Sequence, residues 1–349
     1  MGALLFTMGN SRFILHAPNV HCGGGLILLK TLLEVLPDHA SLIVDERLHV
    51  SEDVLERFQV QRIRPTMWHR LGAERLLSRM VKQGDDVLCF GNLPPLFKLK
   101  GKAMLFLQNR YLIDMVSLSN FPLKVRLRIM MERFWLRLFR GHIDQVIVQS
   151  WSMSNLLKAH FSMSADVLPF VARVNDSPCH GNLGEHDEKL YDFVYVASGE
   201  PHKNHCNLIK AWVILAEKSI HPSLCLTLNV DQFPDLISWI EQEKSEHSLN
   251  VVNVGSLPGR EVMNLYTKAK ALVFPSTLES FGLPLIEAKS AGLPIVAAEL
   301  DYVRDVIVPN ESFDPNSPVS IARAVKRMLG EEEGRLEPLD ARSFLQKII

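Results

Sequence analysis

No run in this sequence approaches the roughly 18 apolar residues that a membrane-spanning helix needs, so a spanning protein is not expected. Met1 to Met8 is apolar, but Asn10 and Arg12 follow at once and no basic leader precedes it, so no secretory signal is expected. Cysteine is sparse and scattered. Cys22, Cys89, Cys179, Cys206 and Cys225 form no C-x-x-C pair, which argues against zinc and for free thiols in a reducing compartment. Charge of one sign is also lacking: the formal net charge is −1, so the whole chain is no polyelectrolyte. There is no G-x-G-x-x-G and no Walker G-K-[ST], so two common phosphate loops are excluded. The expectation from these absences is a globular cytoplasmic chain with no bound metal and no cofactor.

What is present is length and alternation. At 349 residues the chain is long enough for about two domains of roughly 150 residues each. Short apolar runs alternate with helical patterns. RFILHA (12–17) reads as a strand, followed by a glycine loop and the helical LILLKTLLEVL. SLIVDE, a helical SEDVLERF, DVLCFG and AMLFLQN follow, then a helix over 123–140, QVIVQS, a helix over 152–161, and DVLPF. Such alternation implies a parallel sheet covered on both faces.

Residues 172–190 break the pattern with polar, Pro-, Gly- and Asn-containing sequence, a linker composition. The alternation then restarts with DFVYVAS, NHCNLIKAWVILAEK, SLCLTLNV, FPDLISWIEQEK, NVVNVGS, GREVMNLYTKA, ALVFPS, PLIEAKSA and PIVAA. The expected architecture is two Rossmann-like doubly wound α/β domains, 1–172 and 191–335, joined by a linker over 173–190. A final helix over 336–349 would pack back on the first domain. Ligands of such sheets bind beyond the carboxyl ends of the strands.

The densest chemistry lies in ESFGLPLIEAKSAGLP, 279–294. ALVFPS is expected to run as a strand to Ser276, which puts Glu279 just past its end. Pro284 suits a helix start, and Gly292 then Pro294 a helix stop. Glu287 would fall in the first turn. Ser280, Phe281, Gly282 and Leu283 would present backbone N–H groups at a helix N-terminus, an anion site. A carboxylate accepts two neighbouring hydroxyls at once, as from a ribose or a hexose. The bland alternative is a glutamate that complements the helix dipole.

The run from Val254 to Ile307 resembles the retaining GT-B glycosyltransferases of family four, with Glu279 and Glu287 on that family's E-x7-E pair. The resemblance covers about 191–329 well and the N-terminal half more loosely. It implies that Glu287 binds ribose hydroxyls and Glu279 contacts the transferred hexose. It also implies that the amides of Phe281, Gly282 and Leu283 hold the diphosphate, and that Gly255 to Leu257 line the base pocket. In ASGEPHKNHCNLIKAW (197–212), Lys203 matches the family lysine that neutralises the leaving diphosphate. Ser198 stands where the family carries an arginine, which shifts the burden to Lys203, with His202 or His205 assisting. In HAPNVHCGGGLILL (16–29), Gly24 and Gly25 match a Gly-Gly loop that faces donor and acceptor, with His16 a further candidate. Gln108 and Asn109 stand where relatives often carry a hexose-contacting histidine. Ser150 matches a strand-end serine, for which a helix N-cap is the bland reading. The chain has no D-x-D, so no metal requirement is implied.

One segment departs from the neutral whole. Lys98 to Arg140 holds ten basic residues against Asp114 and Glu132. In LKVRLRIMMERFWLRLFR, Arg126, Arg128, Arg133 and Arg137 are interleaved with apolar residues at helical spacing. This fits a helix on an anionic membrane or beside a lipid-linked acceptor. The alternative is a half-buried helix with a solvated basic face. No nucleic-acid motif accompanies it.

Together the expectation is hexose transfer from a UDP- or GDP-hexose to a glycan or lipid-linked saccharide, with retention, in bacterial surface polysaccharide or lipopolysaccharide synthesis. The place is the cytoplasm, at the inner face of the cytoplasmic membrane if the basic helix docks there. Another GT-B enzyme, such as a sugar-nucleotide 2-epimerase or a phosphorylase, and a non-catalytic sugar-nucleotide-binding protein stay open as alternatives.

Overall fold

The computed structural model describes residues 12–119, 121–171 and 189–331. The expected linker, apart from its last two residues, lies outside the described residues, as do Cys179 and the expected C-terminal helix.

In the first half, chain order runs β1 Phe13–Ala17, α1 Gly23–Val35, β2 Ser41–Asp45, α2 Glu52–Leu55, β3 Gln59–Ile63, α3 Met67–Met80, β4 Asp86–Cys89 and β5 Lys102–Phe106. Then come α4 Leu123–Phe139, β6 Gln145–Val148, α5 Trp151–Phe161 and β7 Asp166–Val167. The seven strands form one sheet of order β3-β2-β1-β4-β5-β6-β7. All its pairs are parallel, with Ile14 opposite Ser41 on one side and Val87 on the other. β1 is buried along its length because helices cover both faces of the sheet, as parallel strands require. Alternate residues serve the two faces. Ile14, Val87 and Leu105 pack with Leu77, Leu136 and Leu157 of α3, α4 and α5. Leu15, Ala17 and Leu42 pack with Leu29 and Leu33 of α1.

The second half repeats the plan. β8 Tyr191–Tyr195, α6 His205–Ala216, β9 Leu224–Leu226, α7 Pro234–His247, β10 Val251–Asn253, α8 Gly259–Thr267 and β11 Ala269–Phe274 come first. α9 Leu283–Ser290, β12 Ile295–Ala298, α10 Asp301–Val306, β13 Glu311–Phe313 and α11 Pro318–Met328 follow. The sheet order is β10-β9-β8-β11-β12-β13, again parallel throughout. The result is the expected pair of parallel-sheet α/β halves.

Two compact units partition the chain. One gathers the described residues up to Val171 with Leu278–Ala291 and Leu300–Val308. The other holds Lys189–Thr277, Gly292–Glu299 and the described residues from Pro309 onward.

Several details differ from the sequence reading. Strand β11 stops at Phe274 instead of Ser276, because Pro275 has no N–H to continue the ladder. The DVLPF strand keeps only Asp166–Val167, cut short by Pro169. The helix expected over SEDVLERF shrinks to Glu52–Leu55. Strand β3 and helix α3 were not anticipated; β3 (QVQRI) is an exposed edge strand whose polar residues hide its period.

Candidate active site

In both sheets the strand order reverses between the first and fourth strands of the half, so ligands are expected beyond their carboxyl ends. In the second sheet these strands are β8 and β11, paired through Leu272 and Val194.

The loop after β8 carries Ser198 and Lys203. The Ser198 hydroxyl donates to the Glu200 carboxylate. Lys203 ends a single 3-10 turn, Pro201–Lys203, and is half-buried. Its carbonyl accepts from the Tyr195 hydroxyl at 2.7 Å. Asn204 then takes a left-handed conformation (φ 61°) as the residue before α6. Its side-chain amide donates to the carbonyls of Pro275 (3.0 Å) and Pro315 (2.7 Å), and Thr277 N–H donates to the His202 carbonyl at 2.8 Å. The lysine loop is thus stitched to the loop that leaves β11. His205 does not join it as a cation. It is 3 % exposed, its ring lies 4.8 Å from that of Tyr195, and burial, with the charges of Lys203 and His202, lowers its pKa to about 3. The imidazole stays neutral, which removes it from any role in neutralising a diphosphate. In the same unit Gly255 takes φ 78° between β10 and α8, its N–H donating to the Asn253 side chain at 3.3 Å, and Leu257 follows half-buried.

The loop 278–282 leads into α9. Gly282 is the N-cap at φ 76°, where a Cβ would meet Leu285 Cδ1 at 3.0 Å, so this left-handed position favours glycine. Leu283 is the first helical residue. By helix geometry the leading amides have no intrahelical acceptor. Phe281 is buried, and Glu279 and Glu287 are half-buried. Glu287 lies one turn further along than expected. α9 starts at Leu283, so Glu287 is its fifth residue, and no acidic residue occupies the first turn. The helix dipole therefore does not account for this carboxylate.

The same compact unit brings Gly24, Gly25, Gln108 and Leu283 together. A Cβ on Gly24 would lie 3.5 Å from Leu283 Cδ1, and one on Gly25 would lie 3.2 Å from Gln108 Oε1. Gln108 and Asn109 both donate backbone N–H groups to the Asn92 side-chain oxygen, at 2.5 and 2.9 Å. Asn109 in turn accepts from Tyr111 N–H at 3.1 Å. Ser150 caps α5 by accepting from Met153 N–H at 3.3 Å, and it also donates to the Ser280 carbonyl at 3.0 Å. Arg110 makes a bidentate pair with Asp301 (3.0 and 3.0 Å), bonds Asp114 at 2.9 Å and reaches the Glu279 carbonyl at 3.4 Å. Asp305 accepts from Ser152 N–H at the start of α5 at 2.8 Å. The loop bearing Glu279 to Gly282 is thereby held by a serine and an arginine.

His16 is not at this surface. It is 4 % exposed, with Nε2 3.5 Å from Glu74 Oε1. Burial lowers the His16 pKa to about 4 and raises that of Glu74 to about 7, the latter against a hydrogen bond from Leu96 N–H. Both groups are neutral near pH 5.5, so this contact is not an ion pair there.

Sequence reasoning missed Asn92, Asn204 and Asp301. The two asparagines sit at positive φ (67° and 61°), Asn92 three residues past β4 and Asn204 between a 3-10 turn and α6, and asparagine in such a turn is the one signal that could have marked them. Arg110 was counted with the basic face, but its guanidinium is engaged by Asp114 and Asp301. Among the described residues no group of three or more His, Cys, Asp or Glu converges as a metal would require.

Residues 183–340 match the family model described as glycosyl transferases group 1. The O-antigen chain mannosyltransferase B of Escherichia coli is 27 % identical over 154 residues, 44 % of this chain and 40 % of that one. The O-antigen chain mannosyltransferase RfbU of Salmonella typhimurium is 23 % identical over 208 residues, 56 % and 54 % of the two chains. In both cases the chain spans less than two thirds of the relative's length. Among solved structures, Anabaena Alr3699/HepE in complex with UDP-glucose superposes with a TM-score of 0.67 at 16 % identity, over 91 % of this chain and 89 % of that one.

Proposed function

From the match of residues 183–340 to the group 1 glycosyl transferases and the GT-B fold of the chain, we propose that it moves a hexose from a nucleotide-diphosphate sugar to a saccharide hydroxyl. The observation that carries this reading is the β11–α9 loop. It has a left-handed glycine, a helix N-terminus and two half-buried carboxylates, of which Glu287 lies beyond the first helical turn.

In this reading the amides of Phe281, Gly282 and Leu283 receive the donor diphosphate. Glu287 accepts the two ribose hydroxyls, and Glu279 accepts hydroxyls of the hexose. Gly255 and Leu257 border the base. Lys203, on the loop beyond the neighbouring strand β8, supplies the charge that the departing diphosphate needs. Ser198 is committed to Glu200 and adds no charge.

The bond from the anomeric carbon to the diphosphate oxygen breaks, and its electron pair stays on the diphosphate. The acceptor oxygen bonds to the anomeric carbon from the same face, and its proton passes to the departing phosphate oxygen. Configuration is retained without a protein nucleophile and no metal is assigned a role. Gly24, Gly25, Gln108 and Asn109 are assigned to the acceptor. The relatives' names favour a mannose-type hexose and an O-antigen-like acceptor.

The test is release of nucleoside diphosphate from UDP- and GDP-hexoses, with and without lipid-linked saccharides from O-antigen assembly. Release that depends on the acceptor, with a product one hexose longer, is expected. Release or epimerised donor without any acceptor contradicts the proposal. Donor binding with no turnover on any acceptor makes the chain a sugar-nucleotide-binding protein, a reading that Ser198 in place of the family arginine favours.

A further inference from the structure

Helix α4 (Leu123–Phe139) shows two opposite apolar faces, and among the described residues only one is packed against the fold. Ile129 and Leu136 are buried in the first sheet's core, with Val125 packed against it. On the same inward side the Trp135 indole N–H donates to the Pro94 carbonyl at 2.9 Å, and Arg133 donates to the carbonyls of Tyr111 (2.8 Å) and Asp114 (2.7 Å). Arg133 thus anchors the helix to the fold; it does not belong to the outward basic face expected from sequence.

The outward side is apolar where a solvated helix would be polar. Leu123, Leu127, Met130, Met131, Phe134 and Leu138 recur at three- and four-residue spacing, which aligns them in one stripe. Each is more than half exposed, Leu123 at 67 % and Phe134 at 66 %. At 100° per residue, Arg126 and Arg137 fall along one border of the stripe and Lys124 and Arg128 along the other. All four are exposed. The only carboxylate on the helix, Glu132, is half-buried on the far side, 3.9 Å from Arg128.

A stripe of six apolar side chains exposed together is unusual for a helix facing water. Its charge complement decides between occupants. Cations along both borders and no acid on the stripe suit a phosphate-bearing lipid surface; they would repel an identical stripe on a second copy. Nucleic acid would meet cations first, but here the outermost groups are apolar. Among the described residues no helix is long and apolar enough to cross a membrane, so α4 can lie on a bilayer without spanning it.

We propose that α4 docks the protein on an anionic phospholipid bilayer, its Leu–Met–Phe stripe entering the headgroup–acyl boundary and its flanking cations meeting lipid phosphates. The docked helix borders the candidate acceptor side, because Arg133 ties it to Tyr111 and Asp114, directly after Asn109 and Arg110. A saccharide on a lipid carrier would then be presented beside Gln108 and Asn109. That last step rests on the transfer reading; the docking itself does not.

The test is flotation of the full chain with vesicles of phosphatidylcholine alone, or with about 30 % phosphatidylglycerol, at low and high salt. Two variants accompany it, Leu127→Glu/Phe134→Glu and Lys124→Glu/Arg126→Glu. All the substituted side chains are exposed, so unchanged melting temperatures are expected and serve as the folding control. Wild type should float with the anionic vesicles and less so in high salt, and each variant should lose about tenfold or more of that binding. No flotation of wild type, or equal binding to both vesicles by wild type and both variants, overturns the proposal. So does a wild-type dimer, seen by sedimentation velocity without lipid, that Leu127→Glu/Phe134→Glu dissolves. Donor-nucleotide binding by Leu127→Glu/Phe134→Glu should stay at the wild-type level. Its loss would mean misfolding and would overturn the assignment of the stripe as a free surface.

Discussion

The two sheets share the order third, second, first, fourth, yet their strand ends are furnished differently. Beyond β1, β4 and β5 the neutral amides Asn19, Asn92 and Gln108 line the strand ends, with the Arg110–Asp114 pair beside them. Asn19 donates to the Gly91 carbonyl, Asn92 receives two backbone amides, and Gln108 donates to the Phe90 carbonyl. Beyond β8 and β11 stand ionic groups: Lys203, Glu200, Glu279 and, in the helix that follows, Glu287. One sheet plan therefore carries two differently furnished strand ends. In the proposed transfer, neutral amides would suit hydroxyl-rich ligands, where a buried charge would be costly. Charges would suit the end where, in that transfer, a diphosphate would be bound and then released.

The sharpest way to break this division is Lys203→Ala. The ionic end predicts a fall in turnover of about 10²–10³-fold with donor affinity changed much less, read from kcat beside the nucleotide Kd. An equal loss in both would make Lys203 a binding residue only. On the amide side, Asn92→Gly keeps the positive φ and removes both accepted hydrogen bonds. It should cost about 1–3 kcal/mol in denaturant unfolding and raise acceptor KM while leaving donor Kd unchanged. A change in donor Kd would erase the distinction between the two ends.

The interiors beneath the two ends also differ, and pH separates them. Under the first, the native pair binds one proton, on Glu74, near pH 5.5. The unfolded pair also binds one, on His16. Glu74 rises from 4.5 to about 7 and His16 falls from 6.5 to about 4, so between pH 4.5 and 6.5 their linkages cancel. Under the second, His205 has no such partner. Its folded pKa is depressed from 6.5 to about 3, so its stabilisation is full above pH 6.5 and is lost as pH falls towards 3. Unfolding free energy should fall by roughly 1 kcal/mol per pH unit between 6 and 4.5, and His205→Gln should flatten that slope. A slope unchanged in His205→Gln but lost in His16→Gln would reverse the assignment.

The strands were legible because a sheet covered on both faces needs continuous apolar runs, as in FILHA and ALVF. Strand β3 was not, because an edge strand of Gln, Arg and Val carries no such run. The loop 279–283 was legible because Gly282, Pro284 and Gly292 mark the turn and both helix ends locally. The partners of that loop were not. Ser150, Arg110 and Asp301 are 130 to 191 residues distant from their partners in sequence, and pairing at such range leaves no local pattern. The burial of His205 and the inward turn of Arg133 were hidden for the same reason: both depend on what packs against them.

The most direct test of the central claim is donor binding at the β11–α9 loop. A thermal-shift panel of UDP, GDP, ADP and their hexose conjugates should stabilise wild type with one nucleotide series, since a ligand that binds only the folded state raises apparent stability by mass action. Glu287→Ala should weaken that nucleotide by about 10–100-fold, the loss expected for hydrogen bonds to a charged acceptor. Stabilisation by no nucleotide, or equal stabilisation of wild type and Glu287→Ala, would contradict the assignment of this loop as the donor site.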